Sequence, residues 1–161
     1  MFWELVTIFG DMQFWVGAAL TSLILLFTIP KKHRKHIAWF VFLVLPAVTI
    51  GYGIGYALKS IFKTPRPCVG LATCLSGYSF PSLHATVIFA AASVLTFHYK
   101  DKRLGVFFLI LSVLVAVSRV MLGVHRVEDI IVGSIIGIIV GVLVQKAYKN
   151  YQSEIKDIIE S

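Results

Sequence analysis

Apolar runs separated by short polar turns repeat along this chain. The first runs roughly from Met12 to Ile29 and is closed by Pro30; a basic turn, KKHRKH at Lys31–His36, leads to a second from about Ile37 to Leu58. A polar connection rich in Pro, Gly, Ser and Cys extends from Lys59 to about Phe80, and a third run starts near Ser82 and ends at about Phe97. After a second basic turn, His98–Arg103, come a fourth run from Leu104 to about Leu122 and a fifth from about Val127 to Ala147, then a polar tail, Tyr148–Ser161. Runs of about 16–22 residues fit a hydrocarbon core of about 30 Å. The pattern therefore predicts an all-α, polytopic membrane helix bundle of about five transmembrane helices in a single domain, 1–161. Met1–Gly10 is apolar apart from Glu4 and too short to span, which predicts a short N-terminal interfacial helix or a flexible start. It lacks the basic start and small-residue cleavage site of a signal peptide. Gly51 and Gly55 in the second run, and Gly133, Gly137 and Gly141 in the fifth, have the spacing that lets helices approach closely.

Composition supports a lipid solvent. Hydrophobic residues make up 58% of the chain and the mean hydropathy is +0.86, beyond the roughly half-apolar make-up of soluble domains. The net charge of +7 could suggest nucleic acid, but the bases cap apolar segments instead of forming a basic face, so no nucleic-acid partner is expected. Ten of the fifteen lysines and arginines fall in the two basic turns or are Lys146, Lys149 and Lys156 at the end of the fifth run and in the tail, which assigns those to the cytoplasmic side. The N-terminal segment, with Glu4 and Asp11 and no base, then sits outside. Lys59, Lys63, Arg66, Arg119 and Arg126 all fall on the outer face, against the rule, and positive charge kept there points to a negative ligand.

The densest chemistry lies in SRVMLGVHRVED, Ser118–Asp129. Ionisable residues at the edge of a span are costly and mark a site by default. His125 and Asp129 are four apart; on a helix starting near Arg126 they share one face, so the carboxylate can hold one ring nitrogen and leave the other free to attack. Arg119 can return across Gly123 and bind an oxyanion through its fork. A snorkelling arginine and an interfacial histidine with no chemistry would leave the same pattern. Two further pieces reach the same face. In KSIFKTPRP, Lys59–Pro67, a lysine and an arginine seven positions on can hold anionic oxygens, with Pro65 and Pro67 stiffening the loop around Arg66. In FPSLH, Phe80–His84, Ser82 can offer its hydroxyl and amide to an anion at a helix N-terminus, and His84 is placed to donate a proton. Each piece has an ordinary explanation, but three together favour one anion site.

The three motifs, in this order, resemble the type 2 phosphatidic acid phosphatase family, which includes glucose-6-phosphatase and the vanadium haloperoxidases. The resemblance covers Lys59–Asp129 and rests on Lys59, Arg66 and Pro67; Pro81, Ser82 and His84; and Ser118, Arg119, Gly123, His125 and Asp129. Leu83 stands where the family has glycine; it keeps the backbone amide but crowds the pocket mouth. The resemblance implies that His125 attacks phosphorus to form a phosphohistidine, that Asp129 fixes its tautomer, and that Lys59, Arg66, Ser82 and Arg119 bind the oxygens. His84 would protonate the leaving oxygen and then activate water. No cofactor or metal is implied, because the cationic clamp supplies the charge. The implied substrate is a lipid phosphate taken from the bilayer at the outer, periplasmic face of a bacterial cytoplasmic membrane: undecaprenyl diphosphate or lipid A 1-phosphate first, phosphatidylglycerol phosphate or phosphatidic acid as alternatives. Lys63 and Arg126, outside the motifs, are candidates for a second phosphate. A small channel or transporter is a remoter reading, since it expects ionisable groups near mid-span. A haloperoxidase is disfavoured by the membrane spans. Cys68 and Cys74, the two cysteines, lie in the outer connection, where a disulfide would persist and order the loop beside Ser82 and His84; unpaired thiols are the alternative.

Overall fold

A computed structural model describes residues 2–68, 74, 76–99 and 101–160; the side chains at 33, 35, 36 and 154–160 fall outside that description. The described residues are helical almost throughout. In chain order the helices are α1 (Phe2–Thr7), a 3-10 turn (Ile8–Gly10), α2 (Met12–Thr28), α3 (Lys31–Trp39), a π-helical stretch (Phe40–Val44), α4 (Leu45–Phe62), α5 (Leu83–His98), α6 (Lys102–Met121) and α7 (Val127–Glu160).

Among the described residues, three helices are long and apolar enough to cross a bilayer: Ile37–Phe62, Lys102–Met121 and Val127–Ser153. A fourth crossing results if α1 and α2, bent by 57° at their junction, count as one. The third apolar run of the sequence becomes α5, with 16 residues. At about 1.5 Å per residue it is some 24 Å long, shorter than the lipid core. It compensates by being the central helix: every residue from Ala85 to Ala92 is buried, and α4, α6 and α7 surround it. Apolar or small residues on all sides suit a helix that meets protein in every direction. On the outer helices, large apolar residues such as Phe42, Ile61, Phe107, Ile139 and Leu143 stay exposed, as a lipid-facing surface requires.

Two segments read as polar turn and tail are helix instead. The basic turn Lys31–His36 forms most of α3 and runs through the π-helical stretch into α4; Arg34 Nε donates to the Ile29 carbonyl, 3.0 Å away, at the end of α2. The tail continues α7, whose 34 residues make it about 51 Å long, well beyond the hydrocarbon. The expected N-terminal helix is present as α1, but it packs on α6 and buries Thr7.

The glycine ladder forms the seam between α5 and α7. A Cβ on Gly133 would stand 2.6 Å from the Ser82 carbonyl oxygen, one on Gly141 would stand 2.6 Å from Ser93 Cβ, and one on Gly137 would overlap the Thr86 carbonyl. Backbone meets backbone along three turns, so no side chain fits between the two helices. Gly137→Leu should lower the unfolding temperature in detergent by about 5–10 °C through overpacking. Gly17→Ala, which meets nothing within 4 Å, should leave it unchanged or slightly raised. Equal melting temperatures for Gly137→Leu and the wild type, followed by tryptophan fluorescence, would contradict the seam.

Candidate active site

The helix directions gather the three motifs at one end of the bundle. Lys59 is in the last turn of α4, Ser82 caps α5, Arg119 is in the last turn of α6 and Asp129 is in the first turn of α7. At that end lies a cavity of about 400 Å³ lined by Lys59, Arg66, Leu83, His84, Arg119 and His125, with Gly10 and Asp11 of the α1–α2 junction on its remaining side; Ser82 and Asp129 are buried behind this lining.

The turn between α6 and α7 places the histidine. Gly123 takes a left-handed conformation (φ 68°), and the chain doubles back so that the amides of Val124 and His125 both donate to the Arg119 carbonyl at 3.2 Å. A side chain at that φ would be strained. His125 Nδ1 lies 3.3 Å from Asp129 Oδ2, at the expected i,i+4 spacing. The same oxygen accepts from the Arg126 amide at 2.9 Å and from the Ser79 hydroxyl. Ser79 is fully buried and also lies 3.4 Å from His125 Nδ1. The other ring nitrogen, Nε2, lies 3.4 Å from Arg66 Nη1. Burial, then the cations Arg66, Lys59 and Arg119, push the His125 imidazole well below its usual range, with Asp129 acting against them. A neutral ring with Nδ1–H toward Asp129 leaves a lone pair on Nε2.

The cations are held by the protein and directed inward. Lys59 Nζ donates to the carbonyls of Tyr78 and Ser79 at 2.6 and 2.8 Å, which fixes the chain leading into α5. Arg66 donates from Nη1 to the Val124 carbonyl at 3.1 Å, tying its loop to the turn before His125. Arg119 Nη1 donates to Thr7 Oγ1 at 2.8 Å. Arg66 Nε and Arg119 Nε are buried and have no partner among the described residues. Unmet buried guanidinium donors beside a cavity fit an anion as ligand. Among the described residues, no group of three or more His, Cys, Asp or Glu side chains is placed to hold a metal ion.

Some expectations change in detail. The amide of Ser82 is spent on the Asp129 carbonyl at 3.0 Å, and its hydroxyl oxygen caps α5 by accepting from the Ala85 amide at 3.5 Å. This bond joins α5 to α7 where Gly133 brings them together, so only the Ser82 hydroxyl proton remains for a ligand. Leu83 lines the cavity, and its side chain packs on Gly55: a Cβ there would stand 2.7 Å from Leu83 Cδ2. Lys63 and Arg126 are exposed and line no part of the cavity; Lys63 is the left-handed C-cap of α4, and Arg126 contributes its backbone amide. Cys68 and Cys74 are joined by a disulfide, with Cα atoms 5.3 Å apart. Sequence reasoning missed three contributors. Ser79 carried no signal beyond being one serine in a polar loop. Thr7 and Asp11 lie in a segment read as peripheral; the acid at the edge of an apolar run was a signal, and it was used only for orientation.

A family model described as the PAP2 superfamily matches residues 40–153, most of the chain. The chain belongs to the PAP2 superfamily. Two curated relatives are an undecaprenyl-diphosphatase of Sulfolobus acidocaldarius, 30% identical over 131 residues, 80% of this chain and 61% of that protein, and dolichyldiphosphatase 1 of Dictyostelium discoideum, 32% identical over 97 residues, 53% of this chain and 42% of that protein. The chain thus spans about 61% and 42% of the relatives' own lengths. Among solved structures it resembles Aquifex aeolicus LpxE, with 25% identity, a TM-score of 0.73, and coverage of 90% of this chain and 84% of that one. The fold is also that of a transmembrane PAP2-type phosphatidylglycerolphosphate phosphatase from Bacillus subtilis, with 21% identity, a TM-score of 0.74, and coverage of 92% and 75%. These relationships, with its long apolar helices, make this PAP2 member an integral membrane protein. Thr7, Gly10 and Asp11 lie before the first residue that the PAP2 model matches.

The unpaired guanidinium donors make a direct forecast. Orthovanadate, a tetrahedral oxyanion, should bind the detergent-solubilised protein and raise its unfolding temperature. Arg66→Gln and Arg119→Gln should each weaken that binding about 10–100-fold, the worth of a hydrogen bond to a charged group. Unaltered affinity in both variants would remove the anion clamp.

Proposed function

We propose that this PAP2 protein hydrolyses a phosphate from a membrane lipid through a phosphohistidine on His125. The carrying observation is the pair of environments around that ring: Nδ1 beside the Asp129 carboxylate and Nε2 beside Arg66, in a cavity at one end of an apolar bundle. Nε2 attacks phosphorus and the N–P bond forms as the bond to the leaving oxygen breaks; His84, as imidazolium, gives that oxygen a proton. Water then attacks phosphorus, passing a proton to His84, and the N–P bond breaks to regenerate neutral His125. Asp129 stabilises the positive ring of the intermediate. Lys59, Arg66 and Arg119 hold the equatorial oxygens, joined by the Ser82 hydroxyl and the Leu83 amide at the positive end of α5.

For the substrate, the names of both curated relatives favour a polyprenyl diphosphate. The cavity offers a compact cationic headgroup site, and the exposed apolar faces of the bundle suit delivery from the bilayer. We assign the site to the outer face of the membrane, because Lys31, Arg34, Lys102, Arg103, Lys146 and Lys149 lie toward the opposite ends of the helices from it.

Phosphate release in mixed micelles tests this reading. A polyprenyl diphosphate should give the highest kcat/KM among lipid A 1-phosphate, phosphatidylglycerol phosphate and phosphatidic acid, and His125→Ala should reduce kcat by about 10⁴-fold or more. A soluble short-chain analogue should be hydrolysed by intact spheroplasts without permeabilisation. No release from any lipid by folded protein would overturn the phosphatase reading; a different ranking, or activity only after permeabilisation, would overturn the substrate or the orientation.

A further inference from the structure

The N-terminal segment reaches into the cavity from outside the family-matched residues. Asp11 Oδ1 lies 2.9 Å from His84 Nε2, and four features hold it there. The amide of Asp11 donates to the Ile8 carbonyl at 3.0 Å, closing the 3-10 turn. Gly10 is packed flat on the histidine: a Cβ on it would stand 2.8 Å from His84 Cβ, 2.9 Å from His84 Cδ2 and 2.9 Å from Val115 Cγ1, so only glycine lets the chain lie this close. On the α1 side, Thr7 is anchored to Arg119. On the α2 side, Trp15 Nε1 donates to the Phe9 carbonyl at 3.0 Å. A carboxylate at the edge of an apolar segment, about half exposed toward the cavity, is costly to keep in a membrane protein unless it does something.

Its surroundings say what that is. The other charged and titratable groups lining the cavity that His84 shares are Tyr52 and Lys59 from α4, Arg66 from the α4–α5 connection, Arg119 from α6 and His125 before α7; among the lining residues Asp11 is the one carboxylic acid. Burial, then the cations Arg119 and Arg66, oppose a proton on His84, yet protonating a leaving oxygen requires the imidazolium. We infer that Asp11 is the positioning residue for the His84 acid–base step, orienting the ring through Nε2 and stabilising its protonated form against burial and the nearby Arg119 and Arg66. Asp11 does not itself exchange a proton with substrate. When the imidazolium of His84 gives the leaving oxygen the proton of the ring nitrogen that does not face Asp11, the ring becomes neutral, and that nitrogen regains a proton from the attacking water in the second step. The inference rests on the proposed phosphatase reading.

Asp11→Asn keeps the shape and removes the charge; Asp11→Glu restores charge. Against a lipid phosphate, Asp11→Asn should lower kcat about 10–100-fold, within the range of general acid–base catalysis, with KM within about threefold. The basic limb of its kcat/KM profile should move to lower pH by about one unit, because removing a neighbouring negative charge makes the imidazolium easier to deprotonate. With 4-nitrophenyl phosphate, whose leaving group needs little protonation, the pre-steady-state burst should stay near the wild-type rate while the later steady state falls, since the second step still needs His84. Asp11→Glu should recover part of the loss and part of the pH shift. An unshifted pH profile with equal losses in burst and steady state, or wild-type kinetics throughout, would overturn the role of Asp11. Active wild type, impaired His84→Ala and unimpaired Asp11→Asn would sink this inference alone. A folded wild type that releases phosphate from no substrate would remove the phosphatase reading and this inference with it.

Discussion

Backbone contact between α5 and α7 sets the geometry of the whole site. Three glycines one turn apart leave no side chain at their positions on the α7 side of the seam, and carbonyls and Cβ atoms of α5 occupy the space. At the upper end of the seam the Ser82 amide donates to the Asp129 carbonyl, locking the start of one helix to the start of the other. That bond puts Asp129 at a fixed height relative to His84, two residues from Ser82. In lipid, where apolar surface gives helices little reason to associate, close packing of small residues supplies the attraction. A central helix too short for the bilayer is tolerable because the neighbouring helices enclose it.

The second constraint is electrostatic. Lys59, Arg66 and Arg119 are brought to one small cavity, and Lys59 and Arg119 are buried. The acids near them are Asp129, already engaged by Ser79, Arg126 and His125, and Asp11, engaged by His84. Concentrated, incompletely compensated positive charge is expensive without an anion. A phosphate ester entering the cavity would meet donors already aimed at it, so little reorganisation is needed as charge shifts in the transition state. Polar loop atoms share the work of holding these cations: the carbonyls of Tyr78, Ser79 and Val124 fix Lys59 and Arg66 without neutralising them.

Much of this was legible in the chain because it depends on local periodicity. The i,i+4 pair His125–Asp129, the reversal at Gly123 and the glycine ladder follow from helical geometry and from the conformational freedom of glycine, and the structure has all three. Helix ends were harder. Nothing in Lys31–His36 distinguishes a basic turn from the first turns of a long helix, and the polar tail is compatible with a helix that leaves the membrane. Long-range polar contacts were the least legible. The Ser79–Asp129 bond spans 50 residues and the Thr7–Arg119 bond 112; such pairings depend on how the bundle closes. Ser82 shows the same limit: as an N-cap its place was readable, but the destination of its amide was set by α7. The Lys63 and Arg126 side chains were assigned by charge alone; both are exposed and lie outside the cavity lining.

The central claim is that His125 itself carries the phosphoryl group. Rapid acid-free quenching of the enzyme turning over a ³²P-labelled lipid phosphate, followed by peptide mapping, measures this directly. The account predicts label on the peptide containing His125, stable to base and lost in acid as an N–P bond is. Full turnover with no protein-bound label at any quench time, or label carried by another residue, would contradict it.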